Sequence, residues 1–459
     1  MPGPRPLSWG PRPRPLARNA EVGVRGAVVE CARAAVPLPP PPGGWPVSRA
    51  RALVPPAGPQ RVLALGTLVN TTGNGMFMTT SVIYFTQVVG LSAAQVGLGL
   101  TIAGVVGLLV STPMGHLADV RGPREVYVAL TVALGVLSLG YLVVGSFAGF
   151  VAAATLVTVV DRASAGGRGA LIAALGTGEE RVRLRAYLRA VTNVGISVGG
   201  VVGGLALVVD TPAAYRGMVV LDAVTFVAAA AIATRLPHVP PVPHTGEGPR
   251  LVALRDRPFL VLTGLNAVMA LHYGLTEVAL PLWVVTRTEA PRWIVAVLVL
   301  TNTVTVVLLQ VRVSRGIGSV GLGAQATRLA GLVLAGSCVV FASSASGGET
   351  WAVALLVLGA LVQVGGEMLQ AAGSWAIGFG LAPDTAQGQY QGLYNTGFSI
   401  SSMLAPAVLT ALVVGWGWPG WLVLGALSVV AGALVPPACR WALRVPAGPG
   451  LVRSEVAAA

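Results

Sequence analysis

Residues 115–124 read Gly-His-Leu-Ala-Asp-Val-Arg-Gly-Pro-Arg and lie between two long apolar runs. This ten-residue stretch contains one carboxylate, two guanidinium groups and two glycines. Polar residues confined to so short a stretch between apolar runs predict a tight hairpin that joins two membrane-spanning helices. The fold is therefore expected to be a bundle of such helices.

The composition of the whole chain agrees with a membrane protein. Of 459 residues, 54% are hydrophobic and 10% are charged, whereas a soluble protein carries about 25% charged residues. All 30 basic residues are arginine, and with 17 acidic residues they give a net charge of +13. A chain without lysine has no Walker-type phosphate loop and forms no Schiff base with a cofactor, which excludes those classes of enzyme and pump.

Other classes of function lack a supporting pattern in the sequence. The arginines are dispersed among apolar segments instead of forming a patch, so nucleic-acid binding is not expected. Cys31, Cys338 and Cys439 have neither metal-ligand spacing nor the even number of a disulfide framework. A membrane-embedded enzyme, the less favoured class, would need acids or metal ligands clustered near an interface, and none has ligand spacing. We expect no enzymatic activity, no metal and no cofactor.

From Arg61 onward the sequence is a series of apolar runs. Each is about 20 residues long, which is enough to cross a hydrocarbon layer of ~30 Å. The runs lie at about 62–88, 93–114, 125–146, 148–170, 187–209, 217–235, 259–285, 292–311, 326–345, 351–378, 390–414 and 419–443. They predict an all-α integral membrane protein with about twelve transmembrane helices.

Polar segments divide this series into domains. Residues 1–60 are rich in Pro and Arg, lack a signal-peptide pattern and are predicted to be a disordered extension. This extension is either a cytoplasmic tail or the product of a start codon assigned too far upstream, and we favour the second. A basic cytoplasmic linker, 237–258, separates two six-helix halves, 61–236 and 259–445, and residues 446–459 form a cytoplasmic tail.

Arginine counting predicts the orientation of the bundle, because positively charged loops stay in the cytoplasm. In a twelve-helix arrangement one side receives Arg121, Arg124, Arg181, Arg183, Arg185, Arg189, Arg235, Arg250, Arg255, Arg257, Arg312, Arg315, Arg440, Arg444 and Arg453. The other side receives Arg216, Arg287 and Arg292. We therefore expect both termini to be cytoplasmic and the setting to be the plasma membrane of a bacterium.

The pattern Gly-x-x-x-Asp-x-x-Gly-x-Arg over residues 115–124 resembles the signature loop between helices 2 and 3 of the major facilitator superfamily. The resemblance implies two six-helix halves and a cytoplasmic gate, in which the Asp119 carboxylate meets helix N-terminal amides and arginines. The implied gating loop consists of Gly115, Asp119, Arg121, Gly122 and Arg124. A second copy is expected between helices 8 and 9, where residues 312–318 keep Arg and Gly but lack the aspartate.

Two further motifs resemble those of twelve-helix drug/proton antiporter-type exporters. Arg162 is followed four residues later by Gly166, as in the helix-4 motif of proton-driven exporters. Helix 5 contains Gly195, Gly199, Gly200, Gly203 and Gly204, which are predicted to pack against another helix. Gly200 stands where the antiporter signature of helix 5 has proline, so the kink associated with that proline is not implied.

Ionisable residues within the predicted helices are candidates for function, because a charge in a bilayer is costly. They are Asp161 and Arg162 in helix 4, Asp222 in helix 6, His272 and Glu277 in helix 7, and Glu367 in helix 10. The resemblance implies that helices 1, 4, 7 and 10 line a central cavity. Asp222 is expected to be interfacial, near the outer end of helix 6, and His272 to be packed and hydrogen-bonded. Proton coupling is predicted for Asp161, Arg162, Glu277 and Glu367, the alternative for the first two being a structural ion pair.

Polar residues at helical spacing form a stripe on each of helices 1, 7 and 10. The helix 10 stripe also includes Ser374, and the helix 1 stripe includes Phe77 and Ser81. The residues predicted to line the substrate cavity are Asn70, Asn74, Tyr84, Asn266, Tyr273, Gln363 and Gln370. The alternative is that these stripes hold helices together through interhelical hydrogen bonds.

The sequence thus predicts a secondary transporter that works by alternating access. Its expected activity is proton-coupled export of a small organic molecule, with solute uptake or facilitated transport without proton antiport as the alternative. The expected partners are the lipid bilayer, the substrate and protons, and the protein is expected to be monomeric.

Overall fold

The computed structural model describes residues 57–240, 251–447 and 453. Within these residues the chain forms twelve helices joined by short connections. They are α1 (Pro59–Ile83), α2 (Ala93–Arg121), α3 (Pro123–Leu139), α4 (Phe147–Ala174), α5 (Gly178–Val209), α6 (Pro212–Ala233), α7 (Arg257–Arg287), α8 (Ile294–Val313), α9 (Val320–Ser343), α10 (Glu349–Leu381), α11 (Gln387–Leu409) and α12 (Trp418–Arg444). Most of the predicted extension 1–60, the middle of the predicted linker and most of the predicted tail lie outside the described residues.

In the described part of the chain, eleven helices are long and apolar enough to cross a membrane. The remaining one, α1, has 25 residues, which reach ~37 Å at the usual rise per residue. Its apolarity is reduced by polar residues in its middle, among them Asn70 and Asn74. The predicted fold class, an all-α integral membrane protein, is confirmed.

Three of the helices contain or run into π-helical turns. Helix α7 is interrupted by a 3-10 turn at Ala270–His272 and a π-helical turn at Leu275–Ala279. Helices α1 and α11 run into π-helical turns at Tyr84–Val88 and Thr410–Gly415. Turns of this kind inside long helices are frequent near functional sites, and α7 carries two of the predicted cavity residues.

The hairpin predicted at residues 115–124 is much tighter than expected. Residues 115–121 continue α2, and the chain reverses at Gly122 alone, whose φ is 95°. Glycine adopts a positive φ without steric cost, and Pro123 then starts α3 with a φ suited to a first helical position. Most of the predicted loop is therefore helix. The loop can be this short because Gly122 alone adopts the conformation that reverses the chain.

Helix α5 begins nine residues earlier than predicted. The sequence Thr-Gly-Glu-Glu at 177–180 forms a capping box, in which the Thr177 amide donates to the Glu180 carboxylate at 3.4 Å. The helix therefore starts at Gly178 and includes Arg185 and Arg189. The predicted start at residue 187 is therefore wrong, and Arg185, which lies before it, belongs to the helix.

Glycines on α5 allow α1 to approach closely. A Cβ atom on Gly195 or Gly199 would overlap Thr71 or the backbone of α1, and one on Gly203 would lie 2.9 Å from the Thr79 Cβ. Gly204 has nothing within 4 Å, and Gly200 has only an ordinary contact with Thr79 at 3.6 Å. Three of the five predicted packing glycines therefore make the close contact, and two face away from it.

Asp222 lies midway along α6 instead of near its outer end. Its side chain is 4% exposed and rests against Gly73 of α1, where a Cβ atom would lie 2.7 Å from Asp222 Oδ1. The prediction of an interfacial position is wrong because the helix begins at Pro212, five residues before the predicted start.

Candidate substrate cavity and gate

A cavity of about 430 Å³ lies between α4 and α5 on one side and α7, α10 and α11 on the other. This volume is typical of sites for small organic ligands. Of the residues predicted for proton coupling and the substrate cavity, Asp161, Arg162, Asn266, Tyr273 and Gln370 line it. The structure thus brings residues from both halves of the sequence to one site.

The central contact of the site joins α5 to α10. The Arg189 guanidinium donates through Nη2 to Glu367 Oε1 and through Nη1, at 2.8 Å, to the Tyr273 hydroxyl. Its Cζ also lies 5.1 Å from the centroid of the Tyr273 ring, within the range of a cation–π interaction. The Glu367 side chain is 4% exposed and that of Arg189 17%, so this ion pair is largely shielded from solvent.

Amide groups complete the coordination of the Glu367 carboxylate. Asn302 Nδ2 on α8 donates to Glu367 Oε2 at 3.0 Å, and Gln363 Nε2 donates to the same atom at 3.1 Å. Both carboxylate oxygens therefore accept hydrogen bonds, as a buried charge requires. Gln363 is itself buried and absent from the cavity lining, so it supports Glu367 instead of facing the cavity as predicted.

The polar stripes predicted on α7 and α10 face each other. The Tyr273 hydroxyl donates to Gln370 Oε1 at 3.3 Å, and Gln370 Nε2 donates to Asn266 Oδ1 at 2.8 Å. Ser374 also lines the cavity. Asn266, Tyr273 and Gln370 therefore both line the cavity and form interhelical hydrogen bonds, so the two interpretations hold together.

The predicted stripe on α1 does not line this cavity. Asn70 and Asn74 are partly buried and absent from the lining. Tyr84 is buried, and its hydroxyl donates to the Tyr141 backbone carbonyl, just after α3, at 3.0 Å. Their assignment to this cavity is corrected, because a periodic pattern fixes which residues share a face but not what that face contacts.

Two other predicted residues of α7 lie outside the cavity lining. Glu277 sits in the π-helical turn and is exposed. His272 is 3% exposed, and its Nδ1 lies 2.8 Å from the Met269 carbonyl oxygen, to which it donates. Glu277 thus lies apart from the Arg189–Glu367 ion pair, and His272 is packed and hydrogen-bonded.

Asp161 and Arg162 both line the cavity but form no ion pair with each other in the described part of the chain. Asp161 is exposed, whereas the Nε atom of Arg162 is buried without a hydrogen-bond partner. None of the ion pairs among the described residues involves either of them, so the alternative of a structural ion pair is not observed.

Sequence reasoning missed three arginines that line the cavity: Arg168, Arg185 and Arg189. Arg185 and Arg189 lie seven and eleven residues from the start of α5, about 10 and 16 Å along its axis. The capping box at 177–180 was the signal that could have found them, because it sets the helix start ahead of the arginines.

A second polar contact lies where α2 meets the N-terminus of α11, at the end of the bundle predicted to be cytoplasmic. Asp119 is 4% exposed, and its carboxylate accepts hydrogen bonds from the amides of Gly388 at 2.7 Å and Gln389 at 3.1 Å. A carboxylate at this position is stabilised by the positive end of the helix dipole. None of the ion pairs among the described residues involves Asp119, so the implied arginine contacts are not observed.

Close backbone packing accompanies this contact. A Cβ atom on Gly115 would overlap the Gly388 carbonyl oxygen, and one on Gly388 would overlap the Gly115 carbonyl oxygen. Nearby, Arg181 of α5 forms an ion pair with Asp384, N-terminal to α11, at 3.3 Å. The two sets of six helices are thus joined at this end. We call the Asp119–Gly388 contact and the Gly115 approach the α2–α11 latch.

The two remaining members of the predicted gating loop lie beside the latch. Arg121 is exposed at the end of α2. Arg124 donates to the Thr234 carbonyl at the end of α6 and lies 3.5 Å from the Glu125 carboxylate. Arg124 thus ties α3 to α6 within the first six helices, and it does not cross to α11.

The sequence profile of the Major Facilitator Superfamily matches residues 63–360. The chain belongs to the major facilitator superfamily. No curated protein sequence matches it. As a member of this family it is a multi-pass membrane transporter.

Solved structures show the same fold. The human organic anion transporter MFSD10 (TETRAN) superposes with a TM-score of 0.58 at 15% identity, over 85% of this chain and 100% of that one. A bacterial homologue of the iron transporter ferroportin, in an outward-facing state, superposes with a TM-score of 0.66 at 14% identity, over 84% and 100%. At these identities the likeness concerns the fold alone.

Proposed function

We propose that this protein is a proton-coupled secondary transporter of a small organic molecule. Membership of the superfamily supports transport, and the buried Arg189–Glu367 ion pair at the cavity is the observation that supports proton coupling. A carboxylate held among membrane helices is a typical proton carrier. Alternating access would take place between the first and last six helices, with the α2–α11 latch closing the cytoplasmic end.

Protonation of Glu367 removes one charge of the ion pair and releases the Arg189 guanidinium from it. Arg189 also contacts Tyr273, which lines the cavity together with it. A proton on Glu367 therefore changes the charge and hydrogen-bonding capacity of the cavity wall. A substrate whose affinity differs between these two protonation states is thermodynamically coupled to the proton.

The direction of transport depends on which member of the ion pair binds the substrate. A substrate that competes with the proton for Glu367 is exchanged for protons, and the inward proton gradient then drives export, the direction predicted from the sequence. A substrate that competes with Glu367 for Arg189 binds together with the proton and is co-transported. The proposed setting is a bacterial plasma membrane, with a monomeric protein and cytoplasmic termini.

Membrane vesicles test both parts of the proposal. In inside-out vesicles with an acidified interior, a substrate that is exchanged for protons dissipates the proton gradient. A pH-sensitive dye reports the resulting rise in internal pH. In right-side-out vesicles with an imposed inward proton gradient, a co-transported substrate accumulates. A panel of anionic, neutral and cationic organic compounds is applied to both preparations.

The variant Glu367→Gln keeps the shape of the side chain and cannot carry the proton. We expect it to lose gradient-driven transport in whichever preparation the unaltered protein is active. Glu349→Gln is the matched control, because Glu349 begins the same helix and is exposed. Gradient-driven transport that persists unchanged in Glu367→Gln would refute proton coupling through this residue, and the absence of any transport would refute the proposal as a whole.

A further inference from the structure

The cavity carries an excess of positive charge. Its lining includes four arginines: Arg162 and Arg168 on α4, and Arg185 and Arg189 on α5. The lining supplies one carboxylate, Asp161, and a second carboxylate, Glu367, neutralises Arg189. Four arginines against two carboxylates leave two positive charges. Arg168 and Arg185 both line the cavity, and none of the described acidic residues is paired with Arg185.

Three buried atoms of the lining lack a hydrogen-bond partner, and all three are donors. They are Nε of Arg162, Nε of Arg168 and Nε2 of Gln391. Gln391 is 5% exposed and belongs to α11, so donors approach the cavity from both sets of helices. Buried donors without acceptors are destabilising. A ligand that satisfies them must therefore present acceptor atoms, and the excess charge favours acceptors that are anionic.

The opposite wall of the cavity is aromatic. Tyr273, Trp375, Tyr394 and Phe398 line it from α7, α10 and α11. The rings of Tyr273 and Phe398 pack edge to face, with centroids 5.3 Å apart. Aromatic side chains that line a pocket bind flat apolar groups by stacking and burial of apolar surface. The arginines thus face one part of a ligand and the aromatic rings another.

We infer that the substrate is a small organic anion, with a carboxylate, sulfonate or phosphate group on a flat apolar frame. The inference rests on the proposed function, since it names the substrate class of the same cavity. The acidic group lies against Arg162, Arg168 and Arg185, and the frame lies against the rings of α10 and α11. The cavity volume of about 430 Å³ admits a ligand of one or two fused rings.

The charge of the ligand determines its relation to the proton. An anion in this cavity competes with Glu367 for Arg189, so the anion binds more tightly when Glu367 is protonated, and the reverse holds by linkage. Around this pair, α7 contributes the Tyr273 hydroxyl, which accepts from Arg189, and the His272 backbone carbonyl, which accepts from Gln363, while α8 contributes the neutral amide of Asn302. Anion and proton are therefore co-transported.

Binding of probes with a permanent charge tests the inference. Naphthalene-2-sulfonate is an anion at every working pH, naphthalene-2-sulfonamide is its neutral counterpart, and a naphthylmethyl trimethylammonium ion is a cation of similar frame. Binding to the purified full chain in detergent is followed by calorimetry. We expect the sulfonate to bind most tightly and the ammonium ion to bind most weakly.

Arginine variants show whether the probe occupies this cavity. Arg168→Gln and Arg185→Gln are each expected to weaken sulfonate binding by about tenfold or more, the usual value of one charge-assisted hydrogen bond. Arg183→Gln removes the same charge from α5 at a position outside the lining and is expected to change affinity less than about twofold. Melting curves of all variants confirm that they are folded.

Three outcomes overturn the inference: tighter binding of the ammonium ion than of the sulfonate, equal loss of affinity in Arg183→Gln, or no binding of any probe at millimolar concentration. Because the measurement is one of binding, it is independent of proton coupling. A sulfonate that binds through Arg168 and Arg185 supports the substrate class even where vesicle transport fails. Proton-driven transport of cations alone supports the proposed function and refutes this inference.

Discussion

Arg189 of α5, which lines the cavity, and Glu367 of α10 form an ion pair, although 178 residues separate them in the chain. The same guanidinium donates to Tyr273 of α7. One arginine of the first six helices therefore binds two helices of the last six. Any movement that separates the two sets of helices at this depth has to break or transfer these bonds.

A double-mutant cycle on this pair separates stability from transport. Arg189→Gln leaves a buried carboxylate without its cation, and Glu367→Gln leaves a cation without its carboxylate. Removal of one partner of a buried pair costs about 3–5 kcal/mol, whereas removal of both avoids the unpaired charge. We expect each single variant to melt earlier than the unaltered protein in detergent, and the double variant to melt later than either.

The double variant is nevertheless expected to be inactive in gradient-driven transport. Loss of transport without loss of stability would show that the pair serves coupling and not folding. If the double variant melts at or below the lower of the two single variants, the pairwise interaction is absent and the assignment of the pair is wrong.

The two members of the pair differ in how visible they are in the sequence. Glu367 stands in a long apolar run, where a single acidic residue is conspicuous. Arg189 follows Arg181, Arg183 and Arg185 in a basic stretch that resembles a cytoplasmic loop. Arginine counting assigns such a stretch to the cytoplasmic side. The capping box at residues 177–180 is a local signal. It predicts the start of α5 better than the average polarity of the stretch does.

The number and order of the helices followed from hydropathy alone, because twenty apolar residues have few alternatives to a membrane helix. Helix ends were less predictable. Helices α2, α5 and α10 extend beyond their apolar runs, since polar residues at their ends bind other helices, as Asp119 binds α11. The neighbours of each polar stripe could not be predicted either, because they depend on tertiary packing. Tyr84, which binds Tyr141, is the clearest case.

Substitution of Asp119 is expected to open the α2–α11 latch. Asp119→Ala removes the acceptor of two backbone amides at the start of α11, and the loss of charge-assisted hydrogen bonds costs about 2 kcal/mol. Maleimide labelling of a cysteine introduced at the cavity residue Asn193 reports access from each side. The variant is expected to become more reactive in inside-out vesicles. Unchanged labelling from that side would show that the latch does not hold the end closed.

The close approach of Gly115 to α11 predicts a steric version of the same effect. Gly115→Ala introduces a Cβ atom that overlaps the Gly388 carbonyl oxygen, so α2 and α11 must separate. Gly104→Ala is the matched control on the same helix, because nothing lies within 4 Å of its Cβ position. We expect Gly115→Ala to increase labelling at Asn193 from inside-out vesicles and Gly104→Ala to leave it unchanged. Equal labelling of the two variants contradicts the proposed closure.

A buried ion pair fastens Arg453, within the predicted tail, to the last six helices. Arg453 donates to both carboxylate oxygens of Asp256, at 3.0 and 3.3 Å, and to the Ala442 carbonyl at 2.8 Å. The side chains are 2% and 0% exposed. Arg453→Gln should therefore destabilise the protein by about 3–5 kcal/mol. A lower melting temperature in detergent is expected, with the exposed Arg444→Gln as a near-neutral control.

Both arginines follow the last apolar run, 419–443, so their positions in the sequence predict equal contributions to stability. Equal melting temperatures for Arg453→Gln and Arg444→Gln would therefore refute the structural role of the Asp256 pair. Transport by Arg453→Gln at low temperature is expected to persist, because the pair lies outside the cavity lining.

Two glycines on α5 predict opposite effects of the same substitution. A Cβ atom on Gly199 would overlap the Thr72 carbonyl oxygen of α1, whereas one on Gly204 meets nothing within 4 Å. Gly199→Ala has to push α1 away from α5, and overpacking of this kind costs about 1–3 kcal/mol. Gly204→Ala gains about 0.5–1 kcal/mol, because alanine loses less backbone entropy in a helix than glycine does. Thermal unfolding in detergent should therefore rank Gly204→Ala at or above the unaltered protein and Gly199→Ala below it. The reverse order would mean that α1 does not pack on the face of α5 that carries Gly199.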